Sequence, residues 1–188
     1  MADIAQHKFE DCSLRELTEK DLGQVLTWRN SPRVRIQMYT EHIIAWEEHK
    51  AWFAKLSENK KVCFRLFEYQ SQPVGIVQFT GIDTNNNTAN WGFYMGREDL
   101  PIGTGMTLGF LGLSFGFEEL GLNLVNGEAI GSNQASQKFH ERLGFSPIET
   151  NKPGVEKDGR YEIIKSYQLT KENWLKNKEE LHEKIFLK

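Results

Sequence analysis

Residues 100–117 read Leu-Pro-Ile-Gly-Thr-Gly-Met-Thr-Leu-Gly-Phe-Leu-Gly-Leu-Ser-Phe-Gly-Phe, eighteen positions without a charge. That length approaches a membrane span, so the fold turns on how this stretch is read. Pro101 and the glycines at 103, 105, 109, 112 and 116 make it a poor span. Asp99 on one side and Glu118 and Glu119 on the other leave no room for tilt. The reading adopted is a glycine loop, Pro101 to Met106, entering a buried helix that runs to Leu120. Gly105, Gly109, Gly112 and Gly116 recur at intervals of four, three and four, which puts them on one helical face. A glycine inside a helix costs about 0.5–1 kcal/mol relative to alanine, so that face is expected to pack tightly on a sheet.

Outward from this stretch the periodicity gives an α/β layout. Cys12 to Leu17 reads as a strand. Thr18 caps a helix through Trp28, with Asp21 at the capping-box position. Ser31-Pro32 opens a short helical piece to about Tyr39. Trp46, His49, Trp52, Phe53 and Leu56 recur at helical spacing. Val62 to Tyr69, Pro73 to Asp83 and Thr88 to Met95 read as an antiparallel meander with turns at Ser71-Gln72-Pro73 and Asn85-Asn86-Asn87. Beyond the glycine stretch come a strand Leu122 to Ile130, a helix Gln134 to Leu143, and strands Phe145 to Glu149 and Tyr161 to Leu169. A charged amphipathic helix closes the chain from Lys171 to Phe186; it either docks on the body or joins a dimer. The whole is expected to be one domain over 1–188, with its core at 12–169.

With 39% hydrophobic residues the chain has enough apolar material for a core, which excludes a disordered chain. Its 23 basic and 26 acidic residues, net charge -3, argue against a broad basic face for nucleic acid. Neither nucleic acid nor membrane is expected as a partner. Cys12 and Cys63 give no disulfide framework and no metal-binding pair, Cys63 reading as core, and no metal is expected. Met1 to Glu10 is polar and mixed in charge, unlike a signal peptide, so a cytoplasmic location is expected.

Two elements carry chemistry. In the glycine loop, consecutive backbone N–H groups can face outward at a helix N-terminus, a geometry suited to pyrophosphate. Leu108 stands where a dinucleotide fingerprint needs its third glycine, and no Lys-Ser/Thr follows for a P-loop. The second element is Asn133-Gln-Ala-Ser136-Gln-Lys-Phe139-His140-Glu-Arg-Leu143-Gly144-Phe145, a turn, a helix and a return into a strand.

Together, Asn-x-x-Ser-x-x-Phe-x-x-x-Leu-Gly-Phe after a strand–glycine-loop–helix unit resembles the GNAT superfamily of N-acetyltransferases, and the element order agrees from 12 to 169. The resemblance implies a mixed, mostly antiparallel sheet flanked by helices, with acetyl-coenzyme A as co-substrate. Its pantetheine arm would lie in a gap between the parallel strands Thr88 to Met95 and Leu122 to Ile130. On that basis Ile102, Gly103, Thr104, Gly105 and Met106 form the phosphate cradle. Met95 and Arg97 lie beside the pantetheine or phosphates, and Asn133 and Ser136 touch the cofactor arm. The loop departs from the family in having Leu100 where Gln or Arg is usual. The family's usual tyrosine acid is replaced by His140, which either protonates the departing thiolate or only lines the cofactor. A strand N–H near Phe93 to Met95 would polarise the thioester carbonyl.

For the acceptor, Trp28-Arg29-Asn30, Val34-Arg35-x-x-Met38-Tyr39 and Glu47-Glu48-His49-x-x-Trp52 resemble a narrower branch. These enzymes acetylate the 4-amino group of UDP-4-amino-4,6-dideoxy-N-acetyl-β-L-altrosamine in pseudaminic acid biosynthesis, which serves flagellin glycosylation. The resemblance implies that Arg29 or Arg35 neutralises a diphosphate and that Met38 and Tyr39 form a wall for uracil. His49 would bond a phosphate or help deprotonate the amine, while Thr80 and Tyr94 face the sugar or its amine. Arg29 pairing with Glu47 or Glu48, and Met38 and Trp52 as core, are the plainer readings. Ribosomal-protein N-terminal and polyamine acetyltransferases share the pattern loosely. A non-catalytic acetyl-coenzyme A-binding module and a homodimer stay open.

Overall fold

The computed structural model describes residues 8–157 and 159–186, and of Arg160 only the backbone. The reading of Met1 to Glu10 as polar lies, for residues 1–7, outside the described residues. A seven-stranded sheet runs in the order β1-β2-β3-β4-β5-β9-β6. Its strands are β1 (Cys12–Glu16), β2 (Val62–Tyr69), β3 (Gln72–Asp83), β4 (Thr88–Met95), β5 (Leu124–Ile130), β6 (Ser146–Ile148) and β9 (Ile164–Thr170). A separate two-stranded hairpin pairs β7 (Val155–Lys157) with β8 (Arg160–Glu162). Every pairing in the large sheet is antiparallel except β4 with β5. The helices are α1 (Leu22–Asn30), α2 (Pro32–Arg35), α3 (Trp46–Leu56), α4 (Thr104–Ser114), α5 (Gln134–Arg142) and α6 (Lys171–Phe186).

The alternation of the strands divides the core in two. On one face Val77, Phe79, Trp91 and Val125 meet Leu108, Leu113 and Phe117, together with Trp174 and Leu181 of α6. The C-terminal helix therefore docks on the body of its own chain, Trp174 stacking on Phe117. On the other face Leu66 and Ile76 meet Val25 and Trp28 of α1, with Phe64 and Tyr94 alongside. No helix among the described residues is long and apolar enough to cross a membrane.

The uncharged stretch resolves as expected into a loop and a buried helix, with a π-helical turn at Phe115–Glu119. Three of its glycines explain themselves by packing. An added Cβ would lie 2.7 Å from Leu143 at Gly109, 2.9 Å from Val77 at Gly112 and 2.8 Å from Phe79 at Gly116. At Gly105 it would meet nothing within 4 Å, so helix-on-sheet packing does not account for that glycine.

Several boundaries differ from the sequence reading. The helical piece after Ser31 ends at Arg35, and residues 36–45 continue as a loop. The β2–β3 turn sits at Gln70 and Ser71, both left-handed, one residue earlier than expected. The single strand expected from Tyr161 to Leu169 is two, β8 and β9. The break falls at Ile163, which packs on Gly131 and accepts the Gly131 N–H at 2.8 Å.

One ionic knot fixes α1 to the sheet edge. Arg15 donates both terminal nitrogens to Asp21 at 2.8 Å and its Nε to Glu68 at 2.6 Å, while Asp21 also accepts from the Thr18 N–H and hydroxyl. The Arg15 hydrogen bonds hold the Asp21 carboxyl at about 2, below its ordinary 3.8. A depressed carboxylate stabilises the fold fully above the unfolded value and ceases to do so as pH falls towards the folded one. Asp21→Asn is thus expected to lower stability by about 2 kcal/mol at pH 7. Its melting temperature should then vary less than that of the wild type between pH 5 and pH 2.5, as followed by circular dichroism.

Candidate active site

The site begins where the sheet fails to close. β4 and β5 pair only at Thr88–Leu124, Ala89–Val125 and Asn90–Asn126, although both strands continue for several residues. Beyond that rung β4 keeps β3 as its partner, and β5 keeps β9. Alternate backbone groups of β4 and β5 are thereby turned towards an open gap. The gap leads into a cleft of about 930 Å³ that passes to both sides of the sheet.

At the helix end of the cleft lie Met95, Gly105, Leu108, Asn133, Ser136 and Phe139. Gly103 caps α4 in a left-handed conformation, φ 100°, which a side chain would strain. The Thr104 N–H and hydroxyl both bond the Pro101 carbonyl, at 3.2 and 2.7 Å. The amides of Gly105 and Met106 then remain at the helix end without an intrahelical acceptor. Asn133 caps α5 by accepting the Ser136 N–H at 3.0 Å. Of the expected cradle, Gly105 lines the cleft, Ile102 is exposed, Thr104 is buried and Met106 packs on the core. Arg97 is paired with Asp99 at the surface and does not line the cleft.

The other end is built on the Trp28-Arg29-Asn30 motif, whose three residues do three different things. Trp28 packs flat against Gly96, just after β4. Asn30 pins the following loop by accepting the Ile44 N–H and donating to its carbonyl, both at 2.9 Å. Arg29 donates to the carbonyl and hydroxyl of Thr40 at 3.2 and 3.1 Å, not to Glu47 or Glu48. Its Nη1 has no protein partner, and burial, with Arg35 nearby, pulls the guanidinium below its usual range. His49 is buried, stacks on Trp52 at 4.9 Å and bonds the Leu22 backbone, leaving Nε2 without a partner. Burial pushes its pKa down, so the ring stays neutral at pH 7. Tyr94 lies close by, its phenol driven well above the ordinary range by burial. Met38, Tyr39, Gln78, Thr80 and Asn90 complete this wall, and Arg35 stands behind it, bonded to the Glu41 carbonyl at 3.0 Å.

Three residues at this end carried no signal in the sequence. Glu128 on β5 lines the cleft, accepts from the Tyr39 hydroxyl and is ion-paired with Lys152. Lys157 on the β7–β8 hairpin is almost fully buried, pairing with Glu41 at 2.8 Å and donating to the Met38 carbonyl at 2.8 Å and to that of Ile36. These ties fold the 150–157 segment over the loop at 36–45. Tyr39 is accordingly a strut, half-exposed, with its hydroxyl already committed.

His140 is the main correction. It is buried in the core and does not line the cleft. Its Nδ1 lies 2.8 Å from the Ser136 carbonyl, which can only accept, and its Nε2 lies 3.1 Å from the Trp91 indole nitrogen, which can only donate. Those partners fix one neutral tautomer, and burial lowers the pKa further. A ring so engaged has no proton to offer a thiolate.

A sequence model of the acetyltransferase (GNAT) domain matches residues 12–146. The chain belongs to the GNAT acetyltransferase family. It is similar to Acetyltransferase PseH of Campylobacter jejuni, 25% identical over 137 residues, covering 73% of this chain and 84% of that one. It also matches the uncharacterized protein MJ1062 of Methanocaldococcus jannaschii, 24% identical over 160 residues, 80% of this chain but 30% of that protein. Among solved structures, spermidine N-acetyltransferase from Vibrio cholerae in complex with CoA and spermine superposes with a TM-score of 0.82 at 18% identity. That match covers 88% of this chain and 99% of the other, and it establishes the GNAT fold. The protein is thus an acetyl-CoA-dependent N-acetyltransferase of the GNAT type. The open Cβ position at Gly105, the free amides of the α4 terminus and the unzipped strands fit an extended thioester cofactor.

Proposed function

We propose that this GNAT enzyme acetylates the 4-amino group of a UDP-linked amino-dideoxy sugar, as in pseudaminic acid synthesis. The observation that carries the reading is Arg29, a half-buried guanidinium on the cleft wall whose buried Nη1 the protein leaves unsatisfied. A buried cationic N–H group left unmet favours an anionic acceptor, and the nucleotide diphosphate would supply one. The charges lining the cleft are Arg29, Arg33 and Lys152 against Glu48 and Glu128. Each carboxylate already has a partner, Glu48 in His42 and Glu128 in Lys152. A polyamine would require the opposite balance. The sequence pattern around Trp28 to Trp52 and the similarity to Acetyltransferase PseH support the same acceptor class.

Acetyl-CoA supplies the acetyl group as an activated thioester. Gly105 and Met106 amides would hold its phosphates, with Met95, Asn133 and Ser136 along the arm. Arg97 and Ile102 would lie at the outer edge, and Gly103 and Thr104 would shape the loop. His49 Nε2, a lone pair on a neutral ring, would take the proton from the acceptor amine. Tyr94, kept protonated by burial, would donate a hydrogen bond at the reacting carbonyl or thiolate. Thr80 faces the sugar, and Met38 the base.

Coenzyme A release measured with the UDP-amino sugar, a ribosomal-protein N-terminal peptide and spermidine tests this. The nucleotide sugar should win by at least about tenfold in kcat/KM. Arg29→Gln should raise its KM by about tenfold to a hundredfold while leaving the KM for acetyl-CoA unchanged. Turnover of only the peptide or spermidine would overturn the acceptor.

A further inference from the structure

Trp91 and Gly127 are the first residues past the last rung between β4 and β5, and both face α5 rather than the acceptor. The Trp91 indole N–H meets His140 Nε2 at 3.1 Å, and its ring stacks on Phe145 at 5.2 Å. His140 is held in turn by the Ser136 carbonyl at 2.8 Å and by the Tyr167 ring, stacked at 4.9 Å. Gly127 is the seat of this pair, since a Cβ there would lie 2.5 Å from His140 Nε2 and 3.0 Å from Trp91 Nε1.

We infer that Trp91, His140 and Gly127 form a wedge that sets the opening of the strand gap, and that His140 is a positioning residue for coenzyme A rather than a proton donor. Two parallel strands already in register would gain backbone hydrogen bonds by continuing to pair. A rigid indole locked at the vertex blocks that closure. The indole N–H is buried and needs an acceptor, since an unmet donor there would draw in water or release the ring. A neutral imidazole supplies an acceptor on one side and a donor on the other in one flat unit. Ser136 and Phe139 line the cleft one turn before and one residue before His140, so the wedge also fixes the α5 wall of the gap.

The chemistry balances without His140. In the transfer the C–S bond breaks and an N–C bond forms, and the proton released by the amine ends on the thiolate. A thiol titrating near 8.5 leaves without a dedicated imidazolium near neutrality, and water or Tyr94 completes the transfer.

Titration calorimetry with coenzyme A on the folded protein reads the wedge directly, independently of any acceptor. His140→Leu, which strands the indole N–H, is expected to raise Kd about tenfold. His140→Gln keeps an acceptor for Trp91 and should stay within about threefold. Trp91→Phe combined with His140→Leu should bind no worse than His140→Leu alone, because the stranded donor is gone. In the wild type, nitrogen NMR of His140 should show a protonated Nδ1 and a bare Nε2 at pH 7. Wild-type coenzyme A affinity in folded His140→Leu would overturn the inference. So would an imidazole that titrates near 6.5. Should His140→Leu not fold, the NMR and the Trp91→Phe titration decide, unchanged affinity in the latter being the negative result.

Discussion

Gly96→Ala is expected to destabilise the protein by at least about 3 kcal/mol, the upper range for an overpacked site. The new Cβ would fall 2.0 Å from Trp28 Cδ2 and 2.3 Å from Cε2, inside the indole itself. The ring is buried and cannot swing away without leaving the α1 core of Val25, Leu66 and Ile76. For a chain of this length the melting temperature should fall by roughly 6–12 °C, as read by calorimetry. Arg29 follows Trp28 in the chain, so turnover should fall with stability. An unchanged melting temperature would mean that the Trp28–Gly96 contact is not made.

Gly127→Ala should strike the cofactor side with comparable force. Its methyl group would occupy the space of His140 Nε2 and Cδ2, at 2.5 and 2.6 Å. Either β5 retreats or the imidazole turns, and both release the indole of Trp91. Coenzyme A affinity is expected to fall by about thirtyfold, on the order of 2 kcal/mol, in a protein that still melts cooperatively. Equilibrium titration together with a thermal melt checks both halves of that statement.

The sheet and its helices were legible because they follow from local rules. The strand-like runs gave β2 to β5, and the Thr18–Asp21 capping box is present, although it opens a 3-10 turn at Glu19–Asp21 and α1 itself begins at Leu22. The gap was legible only through family resemblance. Nothing in Trp91 or Gly127 taken singly announces a wedge, since their contacts with His140 span 49 residues for Trp91 and involve a side chain that glycine lacks. His140 stands where the resemblance puts a catalytic acid, and only the two ring partners disclose its present use. The motif around Trp28 was visible as a motif, yet its division into packing, pinning and charge depended on Gly96, Ile44 and Thr40, all distant in sequence. Glu128 and Lys152 look like ordinary surface charges in isolation. The hairpin was missed because Ile163 continues the apolar alternation through the break between β8 and β9.

The tie from Lys157 to the Met38 carbonyl spans 119 residues. The loop it secures is therefore made early and anchored late. At roughly 5–20 residues per second on the ribosome, about 6–24 s separate the emergence of Met38 from that of its anchor. During that interval Ile36 and Ile43, which stay exposed even in the finished protein, belong to a segment held by the local bonds of Arg29, Asn30 and Arg35 but not yet by Lys157. This wall of the cleft is in that sense finished only once residue 157 has been made, although much of it lies among the first residues to be translated.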